Sequence, residues 1–309
     1  MDIHSKYREA YYLKPFKTKQ VKTETNHHIH MKISLLKNLL ILSAVIISIT
    51  SCKKDDKDEL DTDYTTARDN GIMDAYFNDV SNISDEASTG SVSSFKLGYP
   101  YDGLMSACAT VSLDTSVSPK ILSIDFGPTD CLCNDGNYRR GKILVSFTGA
   151  YADPGHTHTI SFDQYFVNLN QVTGTKTVTN NGPNASGHPT FSVSVNGSVV
   201  LHSSYGGGTI TQTSTRTREW IAGYNTTQWS DDVYLISGTA SGTSSKGQAY
   251  TMSTLTPLQK EIGFKHFVSG KLLYQRSGKE DITIDYGIGL RDNLATVTIK
   301  GYSFNIVLK

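Results

Sequence analysis

No charge of either sign dominates this chain. Lys+Arg and Asp+Glu number 29 each, which excludes the bulk electrostatics of a nucleic-acid binder or of a protein built for a strongly acidic partner. No Gly-x-Ser-x-Gly elbow, no Gly-rich loop opening a helix and no His-Glu-x-x-His pair is present, so these hydrolase, phosphate-binding and zinc-protease signatures are missing. Nucleic-acid modules are missing as well. Strand-like and helical stretches do not alternate, which excludes Rossmann-type and barrel α/β folds. The apolar run Leu39 to Ile49 is too short to span a bilayer comfortably.

What is present begins at Met31. Lys32 and Lys37 precede the apolar run, and Ile49-Thr50-Ser51-Cys52 closes it with small residues and a cysteine. This segment resembles a bacterial lipoprotein signal peptide, in which Ile49-Thr50-Ser51-Cys52 matches the lipobox. The resemblance implies cleavage before Cys52, its acylation and anchoring to membrane lipid. Two or more acyl chains hold a protein stably where one does not. Lys53-Lys54-Asp55-Asp56-Lys57-Asp58-Glu59 follows as a charged tether, residues 52–62. It resembles the export signal of Bacteroidota lipoproteins and implies the outer membrane, facing the cell surface. Residues 1–30 are basic and His-rich (Asn26 to His30) and precede a complete signal, so Met31 is the expected start; a metal-binding His tract is the rival reading.

Three cysteines remain once Cys52 is acylated, and an oxidising compartment predicts one disulfide. Cys131 and Cys133 are two residues apart, and joining them would strain an extended segment. Cys108 is therefore expected to pair with Cys131 or Cys133, leaving one thiol.

From Asp63 to about Ala87, the residues Ala67, Ile72, Met73, Tyr76, Phe77, Val80 and Ile83 recur at helical spacing. They predict a short amphipathic helix with capping candidates at Asp61 to Asp63, weakened by Gly71 and followed by a connector, the unit spanning 63–90. Its expected partner is the domain that follows. Over 91–309, abundant Gly, Tyr, Thr and Ser suit strands and tight turns. Strand runs such as Lys120 to Phe126, Lys142 to Thr148, Thr190 to Val195, Ser198 to His202 and Thr209 to Trp220 are separated by turn signals. These include Asp135-Gly136, Asn181-Gly182, Asn196-Gly197 and Gly206 to Gly208. The expected fold is all-β, an antiparallel meander. Weak alternation in Thr173 to Thr179 and Thr209 to Thr217 suggests two partly wet faces, which favours a long curved sheet or solenoid-like stack over a compact sandwich.

Two hairpins repeat, near 121–149 and 281–301. Ile124-Asp125-Phe126-Gly127 and Ile284-Asp285-Tyr286-Gly287 each lead through an Asp-containing turn (Asp135, Asp292) to a second strand. Together with Cys108-Ala-Thr-Val111 and Arg139-Arg140-Gly141-Lys142-Ile143, these units resemble a group of Bacteroidota outer-membrane lipoproteins without an established activity. The resemblance covers most of the mature chain and implies location and fold only. Members carry a second cysteine pair in the C-terminal hairpin, where this chain has Arg291 and no cysteine.

Four constellations invite chemistry. Asp125 and Asp285, brought together, could serve as acid and base or hold Ca²⁺ with Asp135 and Asp292; alternatively each caps its own turn. His156 and His158 could share a metal with Asp153 or Asp163, although no third ligand is evident from spacing. Cys131-x-Cys133 with Cys108 lacks a histidine to complete a metal site. Arg218, Trp220, Tyr224, Trp229, Asp231 and Asp232 could stack on and hydrogen-bond a sugar, or the tryptophans could anchor the sheet. The expected function is a membrane-anchored surface lipoprotein acting as a binding or structural interaction module. It is expected to need no catalysis and no cofactor, with surface glycans or envelope proteins as partners. A glycan- or metal-dependent hydrolase on the same scaffold is the alternative.

Overall fold

The computed structural model describes residues 62–88, 104–226, 231–262, 264 and 266–308. Cys52, the tether up to residue 61, residues 1–30 and Trp229 lie outside them. One helix, α1 (Thr65–Ser88, 24 residues), precedes every strand. Asp63 accepts a hydrogen bond from the Thr65 amide at 3.0 Å, so it supplies the N-terminal cap. Among the described residues no helix is long and apolar enough to cross a membrane.

Among the described residues fourteen strands follow. They are β1 (Thr110–Asp114), β2 (Lys120–Asp125), β3 (Cys131–Leu132), β4 (Tyr138–Phe147), β5 (Thr157–Val167), β6 (Asn170–Pro183) and β7 (Pro189–Val200). Then come β8 (Thr209–Ala222), β9 (Val233–Thr243), β10 (Ala249–Glu261), β11 (Phe267–Arg276), β12 (Ile282–Ile288), β13 (Leu294–Ile299) and β14 (Tyr302–Val307). All pair antiparallel in one open sheet, in chain order from β1 to β14, with the two-residue β3 set beside β4.

The pleat sorts side chains by parity. On β4 Ile143, Val145 and Phe147 are buried, and on β8 Ile210, Gln212, Ser214 and Trp220. The opposite face is solvated and carries threonine ladders, such as Thr157–Thr179 at 3.0 Å and Thr211–Thr243 at 2.8 Å. Helix α1 covers the inner face. From Met73 onward (Met73, Phe77, Val80, Ile83, Ala87) it joins a cluster with Leu122, Ile124, Ile143, Val172 and Ile210. Ala67 joins a second cluster on β9 to β14, and Tyr64 just before the helix lies 6.3 Å from the Phe304 ring. At about 4.8 Å per strand, thirteen strands laid flat would be roughly 58 Å wide. The helix is only about 36 Å long. The sheet reaches both ends of the helix because it curls around it.

Two expected turns prove to be strand interior. Asn196-Gly197 lies within β7, with Gly174 opposite Gly197, and Asn181-Gly182 lies in an irregular stretch of β6. The reason at Gly197 is packing: a Cβ there would overlap the Phe77 ring, so glycine admits the helix at this point. By contrast, Asp135-Gly136 is a true turn, with the Asn137 amide donating to Asp135 at 3.1 Å.

Gly197→Ala is expected to lower stability by about 1–3 kcal/mol through overpacking against Phe77. Gly71→Ala, on the solvent side of the same helix with nothing within 4 Å of its Cβ, is expected to raise it by about 0.5–1 kcal/mol. Urea denaturation reads both; a neutral Gly197→Ala would mean that Phe77 does not seat on β7.

Candidate functional site

The inner face is unusually rich in charge. Arg139 on β4, Lys176 on β6, Arg216 and Arg218 on β8 and Arg276 on β11 all take inward positions, and α1 supplies Asp69, Asp74, Asp79 and Asp85. Burying such groups is tolerable only where each finds a partner. Most do. Arg139, fully buried, forks onto both oxygens of Asp135 at 2.8 and 2.7 Å and meets both oxygens of Asp79 at 2.9 Å. Burial pushes the Asp79 carboxyl up while Arg139 pulls it down. With an always-charged guanidinium at 2.9 Å we assign Asp79 as ionised. Arg216 meets both oxygens of Asp74 at 2.9 Å. Asp69 accepts from the amide and hydroxyl of Ser245 at 2.7 and 2.6 Å, and Arg276 donates to the Asp63 carbonyl at 2.8 Å.

Neutral groups complete the seam. Asn70, 1% exposed, accepts from Gln212 at 2.9 Å and Tyr250 at 3.3 Å while donating to Asp74 at 3.2 Å and Tyr274 at 3.3 Å. Its amide is thereby fully used. Asn170 donates to Tyr76 at 2.8 Å and accepts from the His202 amide at 2.8 Å.

Two further inward cations of the sheet have surroundings of a different kind. Lys176 donates to the Phe77 carbonyl at 3.0 Å and the Asn78 side chain at 3.2 Å, both neutral. The Arg218 guanidinium donates to the Tyr151 hydroxyl and lies 4.8 Å from the Phe191 ring centroid and 5.2 Å from that of Tyr234. Tyr151 stacks on Phe191 with centroids 5.3 Å apart. Asp85 on α1 faces the same space; it is exposed to solvent. Yet enclosure by surrounding protein pushes its carboxyl up to about 6, against the opposing pull of Arg218 and Lys176. Burial, aided by Arg218, brings Lys176 down to about 7.

The residues singled out from the sequence are dispersed. Trp220 is 2% exposed and packs on Tyr234 at 5.3 Å and Tyr224 at 6.5 Å, so it is an inner anchor and not part of an exposed sugar platform. Asp232 is buried, while Asp231 is exposed and accepts from Thr226 at 3.1 and 3.0 Å. Of the described members of that constellation, Arg218 stacks against Phe191 and Tyr234. Asp125 and Asp285 lie on the face opposite the helix, with eight strands between β2 and β12. Each caps its own turn, accepting from Gly127 at 2.8 Å and Gly287 at 2.9 Å. Lys142 and Lys271 pair with them at 3.0 and 2.8 Å. Those contacts hold both carboxyls below the usual range.

His158 donates to the Gly149 carbonyl at 3.2 Å and lies against Tyr151 at 5.1 Å; burial lowers its pKa. His156 lies 3.3 Å from the Thr148 hydroxyl. Among the described residues no three His, Cys, Asp or Glu side chains gather as metal ligands. Cys108 joins Cys131, with Cα atoms 6.1 Å apart, and Cys133 is the buried thiol, pushed up by burial.

Lys176, Asp85, Tyr151 and Tyr234 escaped the sequence reading. Parity was the available signal: Lys176 shares the inward phase of Val172 and Val178, and Arg218 that of Ile210 and Trp220.

A pH dependence follows for Lys176. The folded chain releases its proton near 7, whereas the unfolded chain holds it until about 10.4, so the unfolded state binds more protons between these values. Stability from this group therefore rises with pH across that window. Lys176→Met is expected to be more stable than wild type at pH 6, with the gap in Tm closing by pH 10. A gap that widens with pH would contradict the assignment.

No protein-family model, no curated protein and no solved structure matches the chain.

Proposed function

We propose that this chain is a surface lipoprotein of the outer membrane, acylated at Cys52, whose mature part is a non-catalytic binding or interaction module. The observation that carries the reading is the Cys108–Cys131 bond, which ties the segment before β1 to β3. Disulfides of this kind persist in oxidising compartments, in keeping with an exported protein. The lipobox and the charged tether supply the route, and α1 is the element that the tether enters. Arg276 and Lys279 receive the chain at Asp63, the latter at 3.0 Å, so tension on the anchor would be delivered to the β11–β12 end of the sheet.

A binding role is supported by the division of labour on the inner face. Asp69, Asp74 and Asp79 are committed to holding the helix, whereas Lys176 and Arg218 are turned inward with hydrogen bonds to neutral groups alone. The hydrolase alternative draws no support from Asp125 and Asp285, whose carboxylates are committed to hairpin caps far apart in the sheet.

Radiolabelled palmitate is expected to enter the wild-type protein and not Cys52→Ala, and protease added to intact cells is expected to remove the wild type. Unlabelled wild type would end the anchor reading. Labelled but protected protein would turn the module toward the periplasm.

A further inference from the structure

The face of the sheet away from the helix carries threonine ladders, but at one end it turns apolar. Leu132 on β3, Tyr138 on β4, Leu169 between β5 and β6, and Val200 at the end of β7 are 53, 41, 43 and 44% exposed. Single apolar side chains on a surface need no explanation, whereas a contiguous set does. Register makes these four contiguous. Leu132 pairs with Tyr138, and Gln171, just past Leu169, pairs with Val200. The Tyr138 amide donates to the Asn168 side chain at 3.0 Å, and its carbonyl accepts from the Asn168 amide at 2.8 Å. The strand neighbours Cys131, Arg139 and Val199 are buried, so Leu132, Tyr138 and Val200 point away from the helix.

Leu169 is the least expected member. Val167 pairs with Asn170, so Asn168 and Leu169 form a two-residue hairpin loop, and both have positive φ, 48° and 70°. That geometry favours Asn followed by Gly. A leucine is strained in it, and this one stands largely in solvent, so neither turn geometry nor the core accounts for the side chain.

The chain arrives at the same end. With the strands in chain order, the β5–β6 and β11–β12 connections fall on one side of the sheet. Asp63, where the tether ends, is held at the β11–β12 connection by Lys279 at 3.0 Å and Arg276 at 2.8 Å. Tyr76, about 20 Å farther along α1, accepts from Asn170 beside Leu169. Residues 52–63 can span at most about 36–40 Å. A bilayer holding Cys52 can therefore touch the apolar end without the tether doubling back. A second exposed group, Ile288, Leu290 and Leu294, lies at the opposite end, with Ile288 about 20 Å up β12 from its start.

We infer that the end of the sheet bearing Leu132, Tyr138, Leu169 and Val200 rests on the lipid bilayer in which Cys52 is anchored. Leu169 dips among the acyl chains, and the Tyr138 ring lies at the headgroup level, where an amphipathic ring is suited. The inference rests on the acylation of Cys52 and adds an orientation to it, with the β12–β13 tip turned away from the membrane. Four partly exposed side chains hold a bilayer only weakly from solution. The tether makes the contact intramolecular, where a weak contact suffices.

The test uses the acylated full chain reconstituted into phosphatidylcholine vesicles with and without brominated acyl chains. Leu169→Trp places a fluorescent reporter at the contact and Ile288→Trp places one at the opposite end; the wild type supplies the background of the native tryptophans. Quenching by bromine is expected to be at least three-fold greater for Leu169→Trp than for Ile288→Trp. A Tyr138→Trp reporter is expected to lose at least half of its quenching when Leu169→Asn is added. Asparagine relieves the turn, so Tm in detergent is expected to hold or rise, which separates lost docking from a damaged fold.

Quenching at Ile288→Trp and not at Leu169→Trp would overturn the inference by facing the other end to the bilayer. Emission from Leu169→Trp that is blue-shifted but unquenched would mean that protein, such as a second copy of the chain, covers the patch, and would overturn it as well. Palmitate-labelled protein that floats with the vesicles while Leu169→Trp stays unquenched would remove the docking surface and leave the anchor standing. Unlabelled protein would end both.

Discussion

The structure depends on one match, between the acids of α1 and the cations that the sheet turns inward. Asp69, Asp74 and Asp79 are five residues apart, so each step carries the next acid about 140° around the helix. They cannot form one stripe, and a flat sheet could reach only one or two of them. All three are satisfied, Asp74 and Asp79 by the sheet cations Arg216 and Arg139 and Asp69 by Ser245 and the neighbouring Arg68, because the sheet curls round the helix and presents partners on both flanks. Curvature and charge pairing are thus one fact seen from two sides. The cations are tolerable inside because the helix is there, and the helix is held because the cations are.

The energetics have the asymmetry of buried ion pairs. Forming them from solvated charges gains little, but removing one partner leaves a charge stranded at a cost of about 3–5 kcal/mol. Arg139 carries two acids from different elements, the helix and the turn after β3, so its loss would strand both. The apolar core is split in a way that gives the helix further weight. Of the two large clusters, one gathers β2 to β8 around Phe77 and the other gathers β9 to β14 around Ala67. The helix is the bridge between them, and the polar seam of Asn70, Gln212 and Tyr250 lies between the two. An open sheet of this width gains coherence from an element that crosses most of its strands.

Local chemistry was legible in the sequence; what the helix imposes on the sheet was not. The helical spacing of Met73, Phe77 and Val80, the antiparallel meander and the caps at Asp125 and Asp285 follow from residues near in sequence. The cysteines narrowed the disulfide to two pairings, of which Cys131 is the partner formed. The strands over Thr173 to Thr179 and Thr209 to Thr217 seemed wet on both faces because Lys176, Gln212 and Arg216 interrupt the apolar parity. Those residues hydrogen-bond to a helix 99 to 142 positions earlier, which no local pattern announces. The same long-range contact explains Asn196-Gly197. Its glycine is a seat for Phe77, and the dipeptide would be a turn if nothing packed there. The setting of Arg218 was hidden for a related reason. Arg218 was grouped with its sequence neighbours Trp220 and Asp231, but alternation sends Arg218 and Trp220 inward, whereas Asp231, in the turn after β8, is left in solvent.

Native-state hydrogen exchange measures most directly whether helix and sheet are one cooperative unit. If the charge match holds the fold together, the amides of Met73 to Ser84 open with the same free energy as those in the centre of β6, β7 and β8, and all report global unfolding. Helix amides that exchange through a cheaper local opening, while the β6–β8 amides stay protected, would contradict the account and make α1 an accessory to a self-sufficient sheet.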